Sequence, residues 1–171
     1  MIKGVIFDLD QTLVDSSISE IYRKSRDWQK VYSLIPSFTL YEGFEIVFKQ
    51  LKSMHIRSCI VTTSPSRYAS KVVSCFKIPC EFIVDYFATP NKKPHPEPML
   101  KALELFSLSP DEVISFGDRK IDIISSESAH IKSAACMWGT TEKDLLLDSP
   151  ATFVINKPLD ITQVIMQLKA F

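Results

Sequence analysis

Five short apolar runs rich in β-branched residues, separated by stretches with helical periodicity, set what this chain can fold into. The runs are Ile2–Leu9, Ile56–Thr62, Glu81–Phe87, Val113–Phe116 and Ser133–Met137. Each is short enough for a strand and apolar on both faces, as strands inside a parallel sheet are. Between them, Ile18, Ile21, Tyr22, Ser25, Trp28 and Tyr32 share one helical face, and so do Phe44, Val47, Phe48 and Leu51. Pro98–Leu108 and Leu159–Leu168 also read as helices. Strands alternating with helices predict the α/β class, with a parallel sheet and right-handed crossovers. The 171 residues contain no repeat and no Gly/Ser linker, so a single domain over 1–171 is expected.

Composition excludes several functions. Twenty basic residues balance twenty acidic ones, so no global field draws the chain to nucleic acid or an anionic membrane. A local basic rim of Arg23, Lys24, Arg26 and Lys30 leaves nucleic acid possible but unsupported; a solvated helix face explains it better. No apolar run approaches the roughly 18 residues of a spanning helix. Cys59, Cys75, Cys80 and Cys136 form no CxxC pair and read as buried free thiols rather than a disulfide or zinc framework. These features predict a soluble cytoplasmic protein, with oligomeric state open.

In parallel sheets ligands bind beyond the carboxyl ends of the strands. The polar residues that end the apolar runs are therefore the candidates. Asp8 and Asp10 follow the first run, two residues apart, where an extended strand points alternate side chains the same way. Two close carboxylates resist joint ionisation unless a cation joins them or one keeps a proton. A metal held by one while the other moves a proton uses both tendencies; a helix cap or turn is the plainer alternative. Asp118 and Asp122 share a face of the first turn of a helix, where they suit Mg²⁺ or merely stabilise the helix dipole. Thr62, Thr63 and Ser64 precede Pro65, a place for a phosphate or for an N-cap. Lys93, in a proline-rich loop, is by itself unremarkable.

Taken together and in order, "FDLDQTLVDS", "IVTTSP", "KKPHPEPMLKAL" and "VISFGDRKIDI" resemble the four motifs of the haloacid dehalogenase-like superfamily of aspartate-based phosphohydrolases. The tail "CMWGTT…LLLDSPATFVINKPLDI" is similar to its phosphoglycolate-phosphatase-like subgroup. The resemblance implies a Rossmann-like fold and a Mg²⁺-dependent phosphomonoester hydrolase. Within it, Asp8 would be the nucleophile that forms an aspartyl-phosphate, and Asp10 the general acid and base. Thr62, Thr63 and Lys93 would hold the phosphoryl oxygens. The metal would take the Asp8 carboxylate, the Asp10 backbone carbonyl and Asp118, with Asp122 acting through water or by orienting Lys93, and Thr12 bracing the loop. The founding dehalogenases lack an aspartate at the position of Asp10, so its presence favours phosphoryl transfer.

Thr63 stands where the subgroup often has asparagine, and Arg119 where a small residue is usual. Many relatives also carry a cap of several helices between the first two motifs. Here residues 16–41 leave room for one helix, expected over 16–33, and a turn at Pro36. A minimal cap implies an open site and a large or macromolecular phosphate substrate. A catalytically silent phosphate-binding or protein-interaction module of the same fold is the alternative, and a receiver-type signalling domain fits poorly.

Overall fold

In the computed structural model residues 1–168 are described. From the amino terminus, β1 (Gly4–Phe7) leads into β2 (Val14–Asp15), α1 (Glu20–Lys24), α2 (Trp28–Leu34) and β3 (Thr39–Leu40). Then follow α3 (Phe44–Ser53), β4 (Arg57–Val61), α4 (Ser66–Phe76), β5 (Ile83–Val84), α5 (Glu97–Phe106) and β6 (Val113–Gly117). The chain closes with α6 (Lys120–Ser128), β7 (Lys132–Cys136), α7 (Lys143–Leu147), β8 (Phe153–Ile155) and α8 (Asp160–Gln167).

Six strands form one parallel sheet in the order β5-β4-β1-β6-β7-β8, which is the expected α/β architecture. Strand alternation sends Val5, Phe7, Ile60, Ile114 and Phe116 to one face, under α3, α4 and α8. Ile6, Cys59, Val61 and Val113 go to the other, under α5. Both faces are covered, and of the polar residues the strands carry, Arg57, Ser58, Lys132 and Ser133 stand at the amino ends of β4 and β7, leaving Ser115 inside β6. From β1 the chain builds outward through β4 and β5, then crosses back to β6 on the opposite side. That reversal opens a crevice at the carboxyl ends of β1 and β6. Register then aligns the strand ends, because Phe7 lies opposite both Ile60 and Phe116. Asp8, Thr62 and Asp118 therefore emerge at one sheet edge.

The segment expected as one helix over 16–33 is two. Arg26 adopts a left-handed φ of 59°, and Asp27 then caps α2 by accepting from the Lys30 amide at 3.1 Å. The shared face is lost with it: Ile18 and Ile21 are 48% and 70% exposed, while Tyr22, Trp28 and Tyr32 pack against the core. The third apolar run contracts to β5, because the Asp85 carboxylate turns the chain by accepting from the Phe87 amide at 2.8 Å. Tyr86 and Phe87 are exposed. The short ribbon β2–β3 and the edge strand β8 lie outside the expected runs. All four cysteines are free, but Cys75 is exposed and Cys80 half-buried, so only Cys59 and Cys136 are the buried thiols expected. Of the domain expected over 1–171, the last three residues lie outside the described ones. No described helix is long and apolar enough to cross a membrane.

Candidate active site

Asp8 is the first residue after β1, held there by its amide, which donates to the Phe116 carbonyl at 2.9 Å. The chain then reverses in a tight loop in which Gln11 takes a left-handed φ of 65° and the Leu13 amide returns to the Leu9 carbonyl. The segment after β7 clamps this loop from outside. Trp138 Nε1 donates to the Thr12 carbonyl at 2.9 Å, and a Cβ on Gly139 would fall 1.9 Å from the Gln11 carbonyl oxygen. Only glycine allows that approach. On the inner side, Thr12 Oγ1 donates to Asp118 Oδ1 at 2.8 Å, tying the β1 loop to the β6 loop.

Lys93 reaches the same point from the loop before α5. Its side chain is 2% exposed, and Nζ bonds Asp8 Oδ1 at 2.7 Å, Asp122 Oδ1 at 2.6 Å and the Val61 carbonyl at 2.9 Å. Those three partners use all three ammonium donors. Asp122 is itself fixed by the start of α6, where Oδ2 accepts from the Arg119 amide at 3.0 Å. Gly117 makes room for it, since a Cβ there would sit 2.4 Å from the Asp122 Cβ. Gly117→Ala is expected to displace Asp122 and loosen Lys93. The overpacking should cost about 1–3 kcal/mol in chemical denaturation, together with a loss of turnover.

Oxygens of Asp8, Asp118 and Asp122 all lie within 4.8 Å of one another. Three buried carboxylates share one lysine, and two of them, Asp8 and Asp118, are raised above the usual carboxylate range. Burial pushes Asp8 up to about 7, an effect Lys93 opposes and Asp122 and Asp10 reinforce. Asp118 is raised by burial and then by the charges of Asp8 and Asp122. Burial works to lower Lys93, but Asp122 and Asp8 outweigh it and hold the ammonium above its usual range. Asp122 has both oxygens engaged, whereas no described residue donates to Asp8 Oδ2 or Asp118 Oδ2. Uncompensated negative charge with open carboxylate oxygens fits a hard divalent cation.

Asp10 stands apart from this cluster. Its Oδ1 accepts from Ser16 Oγ at 2.6 Å and Tyr68 Oη at 2.5 Å, and pairs with Arg23 Nη1 at 2.9 Å. Its Oδ2 accepts from Ser64 Oγ at 2.8 Å. Thr62 is buried with its hydroxyl accepting from the Ser64 amide at 3.1 Å, while Thr63 is exposed on the rim. A cleft of about 400 Å³ is lined by Asp8, Asp10, Thr62, Thr63, Lys93 and Asp118, and Arg23 of α1 also borders it. Thr12 and Asp122 complete the network around these groups. Two of the four residues of the basic rim are paired, Arg23 with Asp10 and Lys24 with Glu20 at 2.6 Å, and outside the rim Arg119 pairs with Glu142 at 2.9 Å. Sequence reasoning assigned no role to Tyr68, Ser16 or Ser64 at Asp10. Ser64 lies in the loop just before α4 and Tyr68 in its first turn, so no helical spacing links them in the sequence.

A family model described as haloacid dehalogenase-like hydrolase matches residues 17–136. Asp8 and Asp10 precede the matched stretch, so their place in the site stands on the geometry above. A Clostridium perfringens protein that carries the provisional name pyrophosphatase PpaX is 26% identical, over 99% of this chain and 100% of its own. That alignment runs 216 positions against the 171 residues here, so the relative holds segments this chain lacks. Pyrophosphatase PpaX of Bacillus cereus is 29% identical over 83% of this chain and 72% of its own length. A predicted phosphoglycolate phosphatase from Haemophilus somnus superposes with a TM-score of 0.85 at 19% identity, covering 96% of this chain and 98% of the other. A hydrolase of the same superfamily from Geobacter sulfurreducens gives 0.75 at 23% identity, covering 96% and 100%. At such identities the likeness to solved structures is one of fold.

Proposed function

This chain belongs to the haloacid dehalogenase-like hydrolases, and we propose that it is a Mg²⁺-dependent phosphomonoesterase working through an aspartyl-phosphate on Asp8. The observation that supports this most is the buried Asp8–Lys93–Asp122–Asp118 cluster, short of positive charge, at the floor of a cleft that Asp10 also lines. In this reading an Asp8 oxygen attacks phosphorus, and the bond from phosphorus to the ester oxygen breaks. Asp10 gives its proton to the departing oxygen, then takes one from the water that attacks the aspartyl-phosphate. That second attack releases inorganic phosphate and restores the Asp8 carboxylate. Lys93 neutralises Asp8 and, by exchanging one of its three present bonds, holds phosphoryl oxygens together with Thr62 and Thr63. Asp8, Asp118 and the Asp10 backbone carbonyl would hold Mg²⁺, with Asp122 keeping Lys93 in place. When bound, the ion would supply the positive charge this cluster lacks.

Residues 16–41 are, in this proposal, a short helical segment in place of a cap within a single domain. α1 borders one side of the cleft, through Glu20, Arg23 and Lys24, which supports an open site able to admit a large or macromolecular phosphate as well as small phosphates. The four free cysteines support a reducing, cytoplasmic setting.

The test is release of inorganic phosphate from an aryl phosphate, with Mg²⁺ and with excess chelator. Turnover should need Mg²⁺ and stop with chelator. Asp118→Ala should raise the Mg²⁺ concentration for half-maximal rate by at least about tenfold. Turnover indifferent to chelator, or an unchanged Mg²⁺ requirement in Asp118→Ala, would overturn the metal assignment.

A further inference from the structure

We infer that Tyr68 and Arg23 are positioning residues for Asp10, holding its carboxylate so that Oδ2 alone is free to carry the transferred proton. The inference rests on the phosphatase reading above and adds to it the groups that aim its acid. Tyr68 is 0% exposed, with its ring packed beside Trp28 and Phe38 at centroid distances of 6.1 and 6.4 Å. Phenylalanine would fill that space equally well. The hydroxyl is what differs, and its bond runs to Asp10 Oδ1 at 2.5 Å. Burying a hydroxyl costs free energy unless it finds a partner, so this one is committed to Asp10.

The two Asp10 oxygens are not equivalent. Oδ1 accepts from Ser16 and Tyr68, which use both of its lone pairs, and the Arg23 guanidinium stands beside it as a charge partner at 2.9 Å. Among the described residues Oδ2 accepts only from the Ser64 hydroxyl, whose hydrogen can rotate away. A carboxylate clamped at one oxygen cannot turn about its Cβ–Cγ bond, so the other oxygen stays at one place over the cleft. Two of the clamps come from different parts of the chain. Tyr68 stands on α4 and belongs to the core, whereas Arg23 stands on α1, in the segment between the first two motifs. Among the described residues Arg23 Nε is buried without a hydrogen-bond partner, and the carboxylate this guanidinium pairs with is that of Asp10. The short helical segment thus contributes to the chemistry by placing one cation, without covering the site.

A positioning role predicts a loss that depends on how much the leaving group needs a proton. The experiment compares kcat/KM for p-nitrophenyl phosphate, whose leaving group departs unprotonated, with kcat/KM for a simple alkyl phosphate, whose alkoxide must be protonated. That constant covers steps through leaving-group departure and excludes hydrolysis of the aspartyl-phosphate. Tyr68→Phe should lose at least about tenfold on the alkyl phosphate and less than about twofold on the aryl one, within the range expected for general acid catalysis. Arg23→Met should give the same asymmetry, and Arg23→Lys should recover part of it. Melting temperatures taken alongside show that each variant is folded. Equal losses on both substrates, or none on either, overturn the inference. Asp8→Asn serves as the separate control: if it retains the wild-type rate, the phosphatase reading itself fails, whatever Tyr68→Phe does.

Discussion

Asp8→Asn is expected to abolish turnover and at the same time to make the metal-free protein more stable. An amide cannot attack phosphorus, so kcat should fall by at least about 10⁴, as for other nucleophile replacements. The stability gain follows from titration. Asp8 is raised from 3.8 to about 7 by burial, so the folded state binds its proton more tightly than the unfolded chain does. Below 3.8 the carboxyl is protonated in both states and carries no penalty. Between 3.8 and about 7 the unfolded chain ionises first, and folding becomes progressively less favourable; above about 7 the cost is complete. Asparagine never ionises, yet keeps an oxygen to accept from Lys93. At pH 8 the variant should therefore melt clearly above the wild type, each kcal/mol of removed cost being worth about 2–4 °C. The gap should close below pH 4 and shrink with added Mg²⁺, which binds and stabilises only the charged site. A pH 8 melting temperature at or below the wild type's would show that Asp8 carries no such cost.

Lys93→Met should move stability the opposite way. It removes the one described cation within the Asp8–Asp118–Asp122 cluster and leaves three buried carboxylates facing each other. Breaking a buried charge pair by deleting one partner costs about 3–5 kcal/mol. A fall in melting temperature near 10 °C is expected at pH 8, smaller at pH 5 where Asp8 and Asp118, both raised by burial, take up protons, and partly reversed by Mg²⁺. Turnover should drop at least about 10³-fold, since both the phosphoryl clamp and the neutralisation of Asp8 are lost. Urea denaturation and phosphate release read the two effects separately. A variant within 1 kcal/mol of the wild type would mean the cluster is balanced some other way. Opposite shifts from the two ends of one 2.7 Å pair would show that the site is strained by excess negative charge rather than by poor packing.

Much of this arrangement is legible in the order and type of the residues. The runs that form β1, β4, β6 and β7 are apolar on both faces because both faces are buried, and burial leaves a direct imprint on residue type. Their polar ends, Asp8, Thr62 and Asp118, are identifiable as a group because a parallel sheet puts all carboxyl ends at one edge. Weaker imprints mislead or leave no trace. β8 has three residues, and β2 and β3 have two each, too short for a periodicity to register. The apparent helical face from Ile18 to Tyr32 is broken by the left-handed turn at Arg26, a choice that local sequence leaves open.

By itself, then, the sequence determined the layer architecture and which residues end the strands, since hydrophobic periodicity is local and survives without coordinates. Only the tertiary structure decided which groups pair. Lys93 meets Asp8 from 85 positions away, Thr12 meets Asp118 across 106, and Tyr68 meets Asp10 across 58. Hydrogen bonds and charge pairs act between side chains within a few ångströms, and chain folding alone sets those distances. The burial that raises Asp8 and the clamp on one oxygen of Asp10 have the same origin, because both depend on surroundings assembled from every part of the sheet edge.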